Sequence, residues 1–200
     1  PSNGAAMAFC FTALATLGQA ESAKGWMSRA LLIEPDNANM RYNFACALAS
    51  QLRDKDAAIE LLGPLFERIA RAVCRAGCLP RKELFEAWEV ARRVRRRFRG
   101  GRVVDLACGH GLLGQILLLL DDSSPEVLAV DRSLPKSAPT LVASLLTEWP
   151  RLQARIHFSE VDLDSVPLQG DDLVVSAHAC GALTDLVLRK AVDAGARVAV

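Results

Sequence analysis

Two hydrophobic spacings divide the chain. Over residues 1–72 apolar positions recur at steps of three and four with no strand-like alternation, which predicts helices near 5–17, 20–33, 39–51 and 55–72 with a break at Pro35-Asp36-Asn37. Gly77 and Pro80 mark 73–82 as a linker. An amphipathic helix follows, with Leu84, Trp88, Ala91, Val94 and Phe98 on one stripe and arginines around it. From Arg102 onward, short apolar runs at 102–107, 126–131, 155–159, 172–177 and 196–200 alternate with helical segments at 112–120, 138–148 and 182–193. Strand alternating with helix predicts an α/β domain, a doubly wound, mostly parallel sheet covered on both faces that stops after its fifth strand. The expected division is 1–72 helical, 73–82 linker and 83–200 α/β.

Composition narrows the class. With 200 residues, half of them hydrophobic, and a net charge of +1, the chain reads as one or two helix-rich globular domains with no bulk electrostatic preference for any partner. The most apolar run, Ile116 to Leu120, ends at Asp121-Asp122 and falls far short of the ~20 residues that span a bilayer. A cytoplasmic protein without membrane contact is expected. The six cysteines, at 10, 46, 74, 78, 108 and 180, lack the C-x-x-C spacing of a zinc site and read as free thiols, so no metal is expected. The chain begins at Pro1 without a signal-peptide pattern and reads as a segment of a longer protein.

In the helical region, Leu14 and Leu48, Ala23 and Ala57, Met27 and Leu61, and Leu31 and Leu65 match at a separation of 34 residues. That is the tetratricopeptide period, and Ala23, Ala30 and Pro35 fall where that family places small residues and its closing proline. Residues 4–70 therefore resemble tetratricopeptide repeats, which implies a protein-binding surface. Phe11, where the family prefers a small residue, and Gly63-Pro64 inside the last helix depart from the pattern. The arginines within Arg92–Arg99 form the one strong basic cluster, a candidate for holding nucleic-acid phosphates or a solvated face whose arginines also pair with carboxylates.

The chemistry concentrates at Val103-Val104-Asp105-Leu106-Ala107-Cys108-Gly109-His110-Gly111-Leu112-Leu113-Gly114, a strand, a glycine turn and the start of a helix. Glycines at 109, 111 and 114 permit a tight turn, close ligand approach and close helix packing. Asp105 places an anion at the end of the strand, where a cationic ligand group offsets its desolvation and a pyrophosphate is repelled. A second acid, Asp131, ends the strand Val127–Asp131 about twenty residues on and suits two ribose hydroxyls.

The acid-and-glycine segment resembles the first motif of class I S-adenosylmethionine-dependent methyltransferases, whose fold is Rossmann-like. The resemblance implies S-adenosylmethionine as cofactor, held by Asp105 at its ammonium side, by backbone at Ala107, Gly109 and Gly111, and by Asp131 and Arg132 at the nucleoside. Asp162, after the third strand, is the choice over Glu160 for the adenine amino group. The segment Ser176-Ala177-His178-Ala179-Cys180-Gly181 lacks the Asn/Asp-Pro-Pro-Tyr pattern and looks like a bacterial methyltransferase-like group with a His-x-Cys-Gly loop.

Methyl transfer from a sulfonium depends on positioning and, where needed, deprotonation of the acceptor. His178, at the expected reaction edge, is the candidate general base or a loop-shaping residue; His157 is expected to be structural, His110 to present its backbone and Cys180 to pack. The function expected is methyl transfer to an unidentified acceptor, RNA or protein. The rivals are a non-catalytic repeat protein with a degenerate cofactor domain and a nicotinamide-dependent oxidoreductase.

Overall fold

A computed structural model describes residues 3–34 and 37–200, which divide into two compact units at Ile69/Ala70. The expected boundary at 72 thus moves by three residues and falls within a helix. Pro35 and Asp36, part of the expected break and of the repeat signature, lie outside the described residues.

The first unit holds α1 (Gly4–Thr16), α2 (Ala20–Ile33), α3 (Ala38–Ser50), α4 (Lys55–Leu62) and the start of α5 (Pro64–Ala76). Three helices begin where a short polar side chain caps them: Asn3, Asn37 and Asp54 accept the N–H groups of Ala6, Met40 and Ala57. Helices pack as α1 on α2, α3 on α4, and α1 on α3. Phe11 and Phe44 meet edge to face at 4.5 Å in the middle of this core. Ala23 and Leu48 are buried there, with Leu14, Met27, Leu31, Ala57 and Leu61 packed against them. The helix expected over 55–72 is two helices, because Gly63 turns with φ +87° and Pro64, which has no N–H, starts afresh.

The expected linker at 73–82 shrinks to 77–80. Ser144 Oγ donates to the Ala72 carbonyl at 2.6 Å and Arg75 pairs with Glu148 at 2.7 Å, so the end of α5 is docked helix. α6 (Arg81–Arg97) opens immediately after Pro80.

The second unit continues as β1 (Val103–Leu106), α7 (Leu112–Leu120), β2 (Val127–Asp131), α8 (Ala138–Glu148), β3 (Ile156–Glu160), β4 (Leu173–Val175), α9 (Ala182–Asp193) and β5 (Arg197–Ala199). All five strands are parallel, in the order β3-β2-β1-β4-β5. The order reverses between β1 and β4, which opens a crevice at their carboxyl ends. On one face Val104, Leu106, Val130 and Val174 pack with Val187 and Ala191 of α9. On the other, α7 lies so close that a Cβ on Gly114 would stand 2.5 Å from Val127 Cγ2. Among the described residues no helix is long and apolar enough to cross a membrane.

Candidate functional site

The turn between β1 and α7 has three residues with left-handed φ: Ala107 (+56°), Gly109 (+53°) and Gly111 (+70°). Ala107 adopts this conformation despite its Cβ, at a strain of roughly 1–2 kcal/mol. The glycines differ in what surrounds them. A Cβ on Gly111 would meet the Phe158 ring at 3.0 Å, whereas one on Gly109 would meet nothing within 4 Å, so Gly109 borders open space at the crevice.

Three acids arrange this turn. Asp105 is 1% exposed and its Oδ2 accepts the Gly114 N–H at 3.0 Å; no partner for Oδ1 is seen among the described residues. Burial raises its pKa to about 7, the Gly114 bond opposing and the charge of Asp131 adding to the rise. Asp131 accepts the Gly109 N–H at 2.9 Å through Oδ2 and the Ser133 N–H at 3.1 Å through Oδ1. Asp162 is engaged by Arg132, with Nε donating to Oδ1 at 2.7 Å, in an exposed pair. A cavity of about 160 Å³ is lined by Ala107, Asp131, Arg132, Leu163 and Leu183.

On the α6 side a narrow cavity brings together Asp105, Cys108, Leu113, Ala177, His178 and Glu83. The sequence-predicted Asp105 and His178 therefore line one tight crevice, with only about 10 Å³ of free volume. His178 is exposed, on a loop held by the Ala179 N–H to Ser176 Oγ (3.2 Å) and by Thr184 Oγ1 to the Ala179 carbonyl (2.8 Å). The Cys108 thiol is driven upward by burial and by the neighbouring acids, which leaves it unreactive. His110 does more than present its backbone: its Nε2 lies 2.9 Å from Ser137 Oγ, a tie from the glycine turn to the start of α8. His157 pairs with Glu126 at 3.2 Å, away from the crevice.

Sequence reasoning missed Glu83, Ser137 and Gln115. Only Gln115 left a legible trace, as the one polar residue in the run Leu112–Leu120. A cavity of about 570 Å³, lined by Leu134, Pro135, Val142, Leu146 and Phe158, lies along α8 and β3 and holds none of the predicted acids or His178.

The basic cluster is partly drawn into pairs with carboxylates, the second of its two expected readings. Arg95 is 3% exposed and pairs with Asp121 at 3.1 Å, while its Nη2 donates to Ser124 Oγ and its Nε to the Leu117 carbonyl. Burial lowers its pKa to about 10, Asp121 opposing, so it stays charged and structural. Arg92 lies over Trp88, Arg93 pairs with Glu89, and Arg99 donates to the Leu120 carbonyl. The patch available to a phosphate is correspondingly smaller than the sequence implied.

Residues 83–200 match the family model of a methyltransferase domain. The chain belongs to that family. No curated protein matches it. Among solved structures it is similar to coclaurine N-methyltransferase bound to N-methylheliamine and SAH (18% identity, TM-score 0.40, 57% of this chain and 33% of that one). It is also similar to the S-adenosylmethionine-dependent methyltransferase SibL in its apo form (17%, 0.41, 96% and 75%). A third is CalS10 with SAM bound, an amino pentose methyltransferase from Micromonospora echinaspora involved in calicheamicin biosynthesis (22%, 0.33, 64% and 50%). The chain spans 57%, 33% and 58% of the first three structures it matches.

Proposed function

We propose that residues 83–200 bind S-adenosylmethionine at the carboxyl ends of β1 and β2 and direct its methyl group to an acceptor held near the 176–181 loop. The observation that carries this reading is the buried Asp105 carboxyl at the end of β1, beside a glycine turn that Asp131 ties from β2. The residues fit the group. Open space at Gly109 admits a ligand against the backbone, and the spare oxygen of Asp105 suits an ammonium. Asp131 keeps lone pairs for ribose hydroxyls, since each oxygen accepts one backbone N–H in the bonds described. Ala107, Gly111 and Arg132 complete the cradle, and Asp162 acts through its pair with Arg132. Asp105 at the end of β1 disfavours a pyrophosphate in this crevice, which argues against a nicotinamide dinucleotide, whereas Asp131 suits the ribose of either ligand.

S-adenosylmethionine supplies an electrophilic methyl on a sulfonium. The protein orients the acceptor, excludes water and, through His178, takes a proton from it. The acceptor is RNA or protein, and the exposed arginines of α6, among them Arg93 and Arg97, serve an RNA acceptor. The helical unit is a tetratricopeptide-like surface that recruits a protein partner, supported by the α1–α2 and α3–α4 packing at the 34-residue period. The protein acts in the cytoplasm.

Calorimetric titration with S-adenosylmethionine, with NAD and NADP as controls, tests the reading. Saturable binding of S-adenosylmethionine alone is expected. Binding of NAD or NADP instead, or of none of the three, sinks it.

A further inference from the structure

Gln115 is 1% exposed and sits one turn into α7, a helix otherwise built from Leu, Ile and Gly. A carboxamide there is disfavoured against leucine unless both its ends are bonded. Only one end is. Nε2 donates to the Gly111 carbonyl at 3.0 Å and to the His110 carbonyl at 3.3 Å, while Oε1 is buried with no partner among the described residues. Two carbonyls facing one end of the amide require the NH2 group there, so the orientation follows from chemistry.

Those two carbonyls belong to the consecutive peptides that turn the glycine loop into α7. The Gly111 N–H donates to the Cys108 carbonyl at 2.8 Å, so the 110–111 peptide is held at both its oxygen and its nitrogen. The 111–112 peptide is held at its oxygen twice, by Gln115 Nε2 and by the Gln115 backbone N–H at 3.2 Å. In the same first turn of α7 the Gly114 N–H donates to Asp105 Oδ2 at 3.0 Å, and Leu112 and Leu113 line a crevice with that acid, so the peptides that Gln115 holds lead directly into the candidate site.

We infer that Gln115 is a positioning residue for the cofactor, a buried clamp that sets the peptide planes of residues 110–112. The link to S-adenosylmethionine rests on the function proposed above; the clamp itself does not.

The test compares the parent with Gln115→Met, which keeps the volume and removes both donors, and with Gln115→Leu. Amide exchange of the free protein is read by mass spectrometry, alongside the melting temperature and S-adenosylmethionine affinity. The expected result for Gln115→Met is at least fivefold faster exchange in peptides covering 108–114, unchanged exchange in β2 and α9, a melting temperature at or above the parent's, and at least tenfold weaker affinity. Gln115→Leu follows the same pattern. Unchanged loop exchange overturns the clamp. So does faster exchange across the whole α/β unit in both variants, which marks a purely structural side chain. Parent affinity despite a loosened loop overturns the positioning role. If the parent itself binds no S-adenosylmethionine, the proposed function fails, and the exchange comparison still decides the clamp.

Discussion

Asp131 Oδ2 accepts the backbone N–H of Gly109 at 2.9 Å, so the acid that ends β2 also holds the turn that follows β1. One carboxylate thus shapes the turn and, with one backbone N–H on each oxygen in the bonds described, keeps lone pairs for the ligand proposed above. Asp131→Asn keeps an acceptor oxygen for Gly109 but loses the charge; Asp131→Ala loses both. Affinity for S-adenosylmethionine is expected to fall about tenfold in the Asn variant and about a hundredfold or more in the Ala variant, about 1.4 kcal/mol per factor of ten. Calorimetry on both variants checks the order. Equal affinity in the parent and Asp131→Ala places the nucleoside elsewhere.

The three glycines of the loop separate stability from binding. Gly114→Ala forces a methyl to 2.5 Å from Val127 and 3.3 Å from the Asp105 carboxylate, and should destabilise the fold by roughly 1–3 kcal/mol. Gly111→Ala adds the strain of φ +70° to contact with Phe158 and should cost a similar amount. Gly109→Ala meets no protein atom, so its stability loss is confined to about 1–2 kcal/mol of backbone strain. Its methyl nevertheless occupies the open space offered to the ligand, and it should lose at least tenfold in S-adenosylmethionine affinity. Denaturant unfolding and calorimetry on the three variants check these expectations. Parent-like affinity in Gly109→Ala removes that space from the site.

Most elements of the α/β unit were legible because β1, β2 and β4 are short, largely apolar runs between breakers and the helices have their own period. The helices at Leu112–Leu120, Ala138–Glu148 and Ala182–Asp193 start and stop where the pattern does. Spacing cannot report which member of a charged run turns inward. Arg95 looked like its neighbours, yet it lies under the α6–α7 contact, where Asp121 and Ser124 await it from the far end of α7. The same limit hid the Arg132–Asp162 pair and the His110–Ser137 tie, which join residues about thirty positions apart across the strand ends. Strand order was not legible either, since alternation specifies a parallel sheet but not that β1 lies between β2 and β4.

Asp105 links stability and binding to pH. Its folded value of about 7 lies above its ordinary value of 3.8, so the folded protein holds this proton more tightly than the unfolded chain. The stabilisation is complete below about pH 4 and is lost as pH rises through 7. Asp105→Asn carries no buried charge at any pH. It should match the parent near pH 4 and exceed it in stability at pH 8, while binding S-adenosylmethionine far more weakly at both. In the parent, a cationic ligand favours the carboxylate, so affinity should rise with pH up to about 7, with release of a proton below that. Unfolding curves at the two pH values, and titrations in buffers of different ionisation enthalpy, measure both effects. A parent whose stability is flat between pH 4 and 8 relative to Asp105→Asn removes the raised pKa from the account.

Arg95 and Arg97 stand two positions apart on α6 and should respond very unequally to the same substitution. Arg95→Met leaves the Asp121 carboxylate, 8% exposed at its side chain, without its cationic partner, and strips donors from the Leu117 carbonyl and Ser124 Oγ. Breaking a buried pair from one side costs about 3–5 kcal/mol, which lowers the melting temperature by ten degrees or more in a domain of this size. Arg97 is exposed, and Arg97→Met should stay within about 0.5 kcal/mol of the parent. If α6 also guides an RNA acceptor, Arg97→Met combined with Arg93→Met should weaken single-stranded RNA binding and flatten its salt dependence by up to about 1.4, since each phosphate contact on a single strand contributes about 0.7 to the slope. Thermal unfolding and salt-dependent fluorescence anisotropy make the comparison. A Arg95→Met variant as stable as the parent contradicts the buried pair, and an unchanged salt slope in the double variant removes α6 from RNA binding.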